Sequence, residues 1–148
     1  MPLQTNRYCI YIIFDVSLYM NFKWHIIYYE TENAQCPIQD FIDARKARDQ
    51  AKLLSWLSLL EEQGPNLPRP YADLLKDGIH ELRVKLSGDQ VRALYFFCFR
   101  QYIILTHAFI KNTDRVPESQ IRQAQKMRED FLNRFDEQRL KEELDENL

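Results

Sequence analysis

The segment from Gly78 to Lys111 constrains this chain most, because its pattern predicts three consecutive β-strands joined by short turns. In residues 79–86, apolar residues alternate with charged ones, which is typical of a strand with one buried face. Two runs rich in aromatic and β-branched residues follow. Cations on a rigid sheet suit the binding of a phosphodiester and the stabilisation of charge that builds on it during cleavage. The basic residues of this segment are Arg83, Lys85, Arg92, His107 and Lys111, of which the last follows the third strand.

Strand pairing predicts which of these side chains share a face, since a register shift of one residue exchanges the two faces. The simplest connections are two-residue turns at Gly88-Asp89 and at Arg100-Gln101. With those turns, one face carries two neighbouring rows of side chains. The rows are Arg83–Leu94–His107 and Lys85–Arg92–Phe109. Like charges this close repel each other, and a bound anion would offset that cost.

The flanking sequence predicts one further strand and three helices. An aromatic and β-branched run indicates a strand over residues 22–29. Two helices follow over 37–47 and 48–63 as an antiparallel hairpin, which a Gly-Pro pair ends. Residues 65–70 form an extended linker, and residues 71–77 lead into the strands. The last helix begins at Pro117 and has apolar residues at helical spacing.

The composition excludes several classes of site. A chain of 148 residues with three glycines has no Gly-rich phosphate loop. Its three cysteines are too few and too scattered for a zinc motif or a disulfide framework, which favours a reducing, cytoplasmic setting. The formal net charge of -2 argues against a nucleic-acid binder. However, basic residues concentrate in residues 76–115 and acidic residues at the end of the chain. The position of the charges along the chain is therefore more informative about binding than the net charge.

The two ends of the chain differ from the middle. Residues 8–14 are apolar, but Asp15 ends the run, so the segment is too short to span a bilayer. It also lacks the features of a secretory signal. Residues 1–19 are therefore expected to be an extension, either an extra strand or a leader translated from an upstream start codon. Residues 20–135 form the domain. Residues 136–148 form a helix-prone but highly charged tail that is frayed or available to a partner.

Three segments together resemble one protein family. They are FIDARKARDQAKLLSWLSLLEEQGP, LKDGIHELRVKLSGDQVRALYFF and LTHAFIKNTDRVPESQI. The motifs ELR, RxLYFF and LxHxFxK-x-T-x-x-x-P, in this order, are similar to those of the RelE/ParE superfamily of toxins from type II toxin–antitoxin systems. The phage-derived HigB-like branch is the nearest group. The resemblance covers residues 22–135.

The resemblance implies an α+β fold, with an N-terminal helical hairpin packed on a mainly antiparallel twisted sheet and a C-terminal helix. It implies a cytoplasmic endoribonuclease that cleaves mRNA on the ribosome and inhibits translation, without a metal or other cofactor. In that chemistry the ribose 2′-OH attacks the adjacent phosphate, and cations stabilise the crowded phosphate. The implied partners are a cognate helix-turn-helix antitoxin, the ribosome and mRNA, and no membrane.

The resemblance also assigns roles to the basic residues of the sheet. The catalytic candidates are Arg83, Arg92 and His107, and the substrate-binding candidates are Lys85 and Lys111. Each has a structural alternative. The arginines suit ion pairs with an acid such as Glu81, and the lysines suit a solvated strand edge. The histidine suits a hydrogen bond in the core.

The chain departs from the family pattern at three points. Ala108 stands where the family usually has Gly, Asn112 stands where a second Lys is common, and the last helix has no Tyr. The general base is therefore unassigned, with His107 and His80 as alternatives. A second function is a catalytically weak or inactive member that binds its antitoxin and acts as a transcriptional co-repressor. A third is the gyrase-poisoning branch of the same fold, from which the ELR and LxHxF motifs point away.

Overall fold

A computed structural model describes residues 24–146, which form a five-stranded sheet and four α-helices. The strands are β1 (His25–Tyr28), β2 (Ala72–Lys76), β3 (Ile79–Leu86), β4 (Asp89–Cys98) and β5 (Tyr102–Ile110). The helices are α1 (Pro37–Asp43), α2 (Ala47–Gln63), α3 (Glu118–Arg134) and α4 (Glu137–Glu146). The spatial order of strands is β1-β5-β4-β3-β2, with β1 parallel to β5 and all other neighbours antiparallel. The predicted α+β fold is confirmed, while the predicted extension over residues 1–19 lies outside the described residues.

The sheet has one apolar layer on each face, because side chains alternate along every strand. The hairpin face carries residues such as Leu82 and Tyr95, which pack with Leu57 and other residues of α1 and α2. The opposite face, called the C-terminal face here, carries Leu94 and Phe96 under residues of α3 and α4. Burial on both sides explains why β4 is almost continuously apolar.

The charged end of the chain folds as a helix. Residues 136–148 were expected to be a helix-prone but highly charged tail, and Glu137–Glu146 form α4. The spacing of Leu140 and Leu144 places both on one side of this helix, and Leu140 is fully buried beside Phe135. The high charge of the segment masks this apolar stripe in the sequence.

The strand β2 is a further difference from the sequence prediction, which treated residues 71–77 as a lead-in. Asp77 and Gly78 both have positive φ, of 50° and 78°, and connect β2 to β3. Two positive φ angles are the hallmark of a type I′ hairpin turn, for which Asp-Gly is a favoured sequence. The dipeptide was therefore the available signal for β2.

The turn between β3 and β4 lies one residue earlier than predicted. Leu86 pairs with Asp89, so the turn residues are Ser87 and Gly88 and not Gly88 and Asp89. Gly88 has a φ of 91°, and this position of the turn requires a positive φ that glycine adopts without strain. The predicted pairing of Lys85 with Arg92 is therefore wrong. The shift changes the paired residues by two positions, and an even shift keeps every side chain on its predicted face.

The connection between β4 and β5 is also different, yet the predicted pairing beyond it is confirmed. Cys98 pairs with Tyr102, which makes a three-residue loop in place of the predicted two-residue turn. A bulge at Thr106 then adds one residue to β5. The bulge cancels the change in the loop. The observed pairs are therefore Leu94 with His107 and Arg92 with Phe109, as predicted.

None of the helices between residues 24 and 146 is long and apolar enough to cross a membrane.

The end of α2 provides a test of the packing against the first strand. Gly64 has a φ of 53°, and the indole ring of Trp24 fills the space where a Cβ atom would stand. We expect Gly64→Ala to lower the free energy of unfolding by roughly 1–3 kcal/mol more than Gly88→Ala. Gly88 has a φ of 91° but open space around it. Its substitution therefore measures only the cost of placing a Cβ atom on backbone with a positive φ. Urea unfolding of both variants measures the difference, and equal losses would contradict the contact with Trp24.

Candidate functional site

The basic residues lie at one end of the C-terminal face, beyond the part that α3 covers. Paired residues of adjacent strands form three successive rows of side chains toward this end. Neighbours within such a row stand about 5 Å apart. The first row is Glu81–Leu94–His107, the second is Arg83–Arg92–Phe109, and the third pairs Lys85 with Gln90. Lys111 extends the third row, because its backbone N–H donates to the carbonyl of Gln90. Both guanidinium groups are thus direct neighbours, whereas the predicted register separated them by a row.

The carboxylate of Glu81 lies between the two arginines. Its Oε1 accepts a hydrogen bond of 2.7 Å from Nε of Arg83. Its Oε2 lies 3.3 Å from Nε of Arg92, without the alignment of a hydrogen bond. Glu81 is only 2% exposed, so this anion is held almost entirely by the two cations. The structural alternative for the arginines, an ion pair with a neighbouring acid, is therefore present.

The two arginines differ in their access to solvent. Arg92 is 7% exposed, and its Nη1 donates to the carbonyl oxygen of Val91. Burial lowers the pKa of the Arg92 guanidinium and Glu81 opposes that effect, so the group stays charged at neutral pH. The side chain of Arg83 is 35% exposed. Arg83 is thus the guanidinium that a ligand reaches first, and Arg92 is a fixed charge behind it.

A second carboxylate flanks Arg83 at the edge of the sheet. Asp73 on β2 places Oδ2 at 3.6 Å from Nη2 of Arg83 and accepts a hydrogen bond of 2.9 Å from Nε of Arg69. The hydrogen bond from Arg69 holds the pKa of Asp73 below its usual range. These two ion pairs link the exposed face of Arg83 to the outer edge of β2.

His107 lies under the N-terminal part of α3 and not among the exposed cations. It is 4% exposed, and its Nε2 is 2.7 Å from Oε1 of Gln120. Its Nδ1 is 3.1 Å from Oγ1 of Thr106. Burial lowers the pKa of His107, while the hydrogen bond with Gln120 opposes this change. Both ring nitrogens therefore have protein partners, which matches the core alternative for this residue.

The remaining candidates are the two lysines. Lys85 is exposed near the β3–β4 turn, and Lys111 is half-buried after β5. They lie on the same face as Arg83 and border its row. His80, considered as a base, lies on the hairpin face instead, where it stacks on Tyr95.

Sequence reasoning missed two residues that shape this site. Asp73 was missed because β2 was not predicted, although the Asp-Gly turn signalled it. Gln120 was missed because its contact with His107 joins α3 to β5, and no local pattern predicts which residue of a helix meets a given strand. Within residues 24–146, no group of three or more His, Cys, Asp or Glu side chains is arranged to hold a metal ion.

A comparison with family models identifies the chain's relatives. The model described as "Phage derived protein Gp49-like (DUF891)" matches residues 40–129, more than half of the 148 residues. The chain belongs to this Gp49-like family. The family is part of the RelE/ParE-like toxin superfamily of toxin–antitoxin systems, so the predicted superfamily is confirmed. Among curated proteins, none matches the chain.

The matched segment contains every candidate site residue of the Gp49-like domain. It begins within α1 and ends within α3, so it includes β2 to β5 and the rows that carry the cations. The family relation supports a toxin role with an antitoxin partner.

Removing Glu81 from the Gp49-like domain tests whether this carboxylate holds the two arginines. We expect Glu81→Gln to lower the free energy of unfolding by about 3 kcal/mol or more, because Arg92 would remain as an uncompensated buried charge. Asp73→Asn is the control, since it removes a more exposed carboxylate and should cost less than about 1 kcal/mol. Urea unfolding measures both. Losses of similar size would show that Arg92 does not need Glu81.

The buried histidines predict loss of stability in mild acid. The pKa values of His25, His80 and His107 lie below the ordinary 6.5, because burial disfavours the charged ring. At these histidines the unfolded chain therefore binds protons more readily than the folded chain. Their contribution to the free energy of unfolding is fully present above pH 6.5, and it is lost as the pH falls from there through the folded pKa values.

His107→Gln should reduce the loss of stability between pH 7.5 and 5.5, by at most about 1.4 kcal/mol per pH unit. Lys141→Gln, a change at an exposed residue of α4, should keep the wild-type dependence. Urea unfolding at several pH values measures the slopes. A wild-type slope in His107→Gln would mean that this ring is already charged in the folded protein.

Proposed function

We propose that this Gp49-like chain is the toxin of a type II toxin–antitoxin module of the HigB-like branch. It acts as a metal-independent endoribonuclease that cleaves mRNA on the ribosome and so inhibits translation. The observation that supports this most is the direct pairing of Arg83 with Arg92, next to the row that contains Lys85 and Lys111. Four side-chain cations thus occupy two adjacent rows of one rigid face.

The charge balance of the site favours an anionic ligand. Glu81 and Asp73 are the two carboxylates in contact with the arginines, so four cations face two anions. Two fixed guanidinium groups and two lysines provide electrostatic stabilisation for a phosphate whose charge increases in the transition state. Because strands hold these groups, little reorganisation is needed when the substrate binds.

The exposure of each residue indicates its role. Arg83 contacts the non-bridging oxygens of the scissile phosphate, and Arg92 adds a fixed charge behind it. Lys85 and Lys111 contact the phosphates on either side. The 2′-OH attacks the adjacent phosphorus atom, forming a bond to it, and the bond to the 5′-oxygen of the next nucleotide breaks. The 2′-OH loses its proton and the leaving 5′-oxygen gains one, so the products are a 2′,3′-cyclic phosphate and a 5′-OH.

His107 is a positioning residue in this proposal. It joins β5 to α3 through Gln120 and lies in the row next to Arg92. Since both of its ring nitrogens are bonded and His80 lies on the other face, neither histidine is assigned the proton transfer. The side chains of the cation rows supply orientation and charge stabilisation.

The proposed partners extend the antitoxin that the family relation supports. A helix-turn-helix antitoxin neutralises the toxin in the cytoplasm, and the ribosome presents the mRNA. Coverage of the cation rows by the antitoxin would block the approach of the phosphate backbone.

A catalytically weak or inactive member that acts as an antitoxin-binding co-repressor is the alternative. The burial of Arg92 and the two contacts of Glu81 favour this alternative, because paired guanidinium groups have less capacity for a phosphate. The exposure of Arg83 favours the nuclease.

The test is induction of the full chain in cells, with growth followed and mRNA ends mapped. We expect Arg83→Gln to reduce cleavage by about a hundredfold or more, since it removes one donor to the phosphate. Lys85→Gln should weaken cleavage less. Lys141→Gln, an exposed change on α4, should match wild type.

Circular dichroism confirms that each variant is folded. Equal arrest and cleavage by wild type and Arg83→Gln would remove Arg83 from the mechanism. A wild-type chain that causes neither arrest nor cleavage, yet binds its antitoxin, would support the co-repressor.

A further inference from the structure

A cleft of about 260 Å³ opens on the hairpin face, away from the cation rows. It lies between the segment after α2 and strands β2, β3 and β4. Its walls include the rings of His80, Tyr95 and Phe97, together with Pro65, Leu67 and Arg69. The volume is somewhat below the roughly 300–1,000 Å³ of sites for drug-sized ligands, so it suits a single ring system.

Two residues on these walls carry polar groups beside their rings. They are His80, with its imidazole nitrogens, and Tyr95, with its hydroxyl. A few polar groups among apolar walls are what orients a ligand in a binding site. Burial lowers the pKa of His80, which leaves a neutral ring with one donor and one acceptor nitrogen. Burial also raises the pKa of Tyr95, so its hydroxyl remains a donor.

The rings define the shape of the ligand. His80 and Tyr95 lie nearly parallel, with an interplanar angle of 17° and centroids 5.4 Å apart. Phe97 stands edge-on to both, at 78° and 89°. A flat heteroaromatic group with donors and acceptors on its edge satisfies both the apolar walls and the polar groups. Nucleobases have this chemistry, and proteins read single-stranded RNA by stacking and edge hydrogen bonds.

The cleft and the cation rows share Asp73 of the edge strand β2. Arg69 and Asp73 line the cleft, and Oδ2 of Asp73 lies 3.6 Å from Nη2 of Arg83. Because Asp73 contributes to both, an RNA chain with a phosphate at Arg83 would pass close to the cleft. This proximity favours a nucleobase over an aromatic side chain of a protein partner.

We propose that this cleft binds a nucleobase of the RNA whose backbone contacts Arg83, and that it contributes to sequence preference. The inference rests on the proposed function, because it takes its ligand from the RNA substrate.

The experiment is an NMR titration of the full chain with adenosine and uridine 5′-monophosphates. Ribose 5-phosphate is the control that carries a phosphate but no base. Nucleotides should shift the ring resonances of His80 and Phe97, and ribose 5-phosphate should leave them unchanged. Tyr95→Phe combined with His80→Phe keeps the rings but removes the polar groups, and should weaken nucleotide binding roughly tenfold.

Tyr102→Phe is the matched control, since it removes a buried hydroxyl from the C-terminal face and should bind as wild type does. If the double variant does not fold, Tyr95→Phe alone removes a single oxygen and should still weaken binding.

The outcomes separate this inference from the proposed function. Nucleotide binding in the cleft by a chain that cleaves no mRNA would support the site and refute the nuclease. Cleavage in cells without any cleft resonance shift, and with wild-type sequence preference in Tyr95→Phe, would overturn the inference and keep the nuclease. Shifts caused only by a peptide of the antitoxin would also overturn it, because the cleft would then be a protein-docking site.

Discussion

Glu81 and the two arginines form the interaction on which the candidate site depends. A carboxylate at 2% exposure needs cationic partners, and Arg83 and Arg92 supply them from adjacent strands. The same contact fixes the direction of both guanidinium groups. It therefore orders the cations before any ligand arrives, and it also lowers the net charge that a ligand would meet. Pre-organisation and partial neutralisation are two consequences of one ion-pair cluster.

The sheet separates two kinds of surface. The hairpin face packs under α1 and α2 but leaves a cleft at the edge of β2. The C-terminal face packs under α3 and α4 and leaves its far end open. Asp73 lies between these regions at the edge strand, since it accepts a hydrogen bond from Arg69 and lies 3.6 Å from Arg83.

The assignment of side chains to faces followed from the sequence, even though both predicted turns differed from the observed ones. The β3–β4 turn moved by one residue, which shifts the pairing by two positions and keeps the faces. The β4–β5 loop has an additional residue, and the bulge at Thr106 compensates for it. Period-two alternation is thus a more robust signal than register, because register depends on turn geometry and on bulges that the alternation does not predict. The same limit explains why Arg83 was paired with Leu94 and not with Arg92.

By itself, the sequence determined the fold class, the superfamily and the face on which the cations lie, because alternation, turn residues and ordered motifs are local properties of the chain. Only the tertiary structure decided which cations are accessible. Arg92 and His107 belong to the same strands as exposed residues, yet Glu81 of β3 pairs with Arg92, and Gln120 of α3 bonds to His107. These partners are distant in sequence from the residues that they contact, so the difference between a solvated cation and a fixed internal one arises only when the strands pair and the helices pack on the sheet.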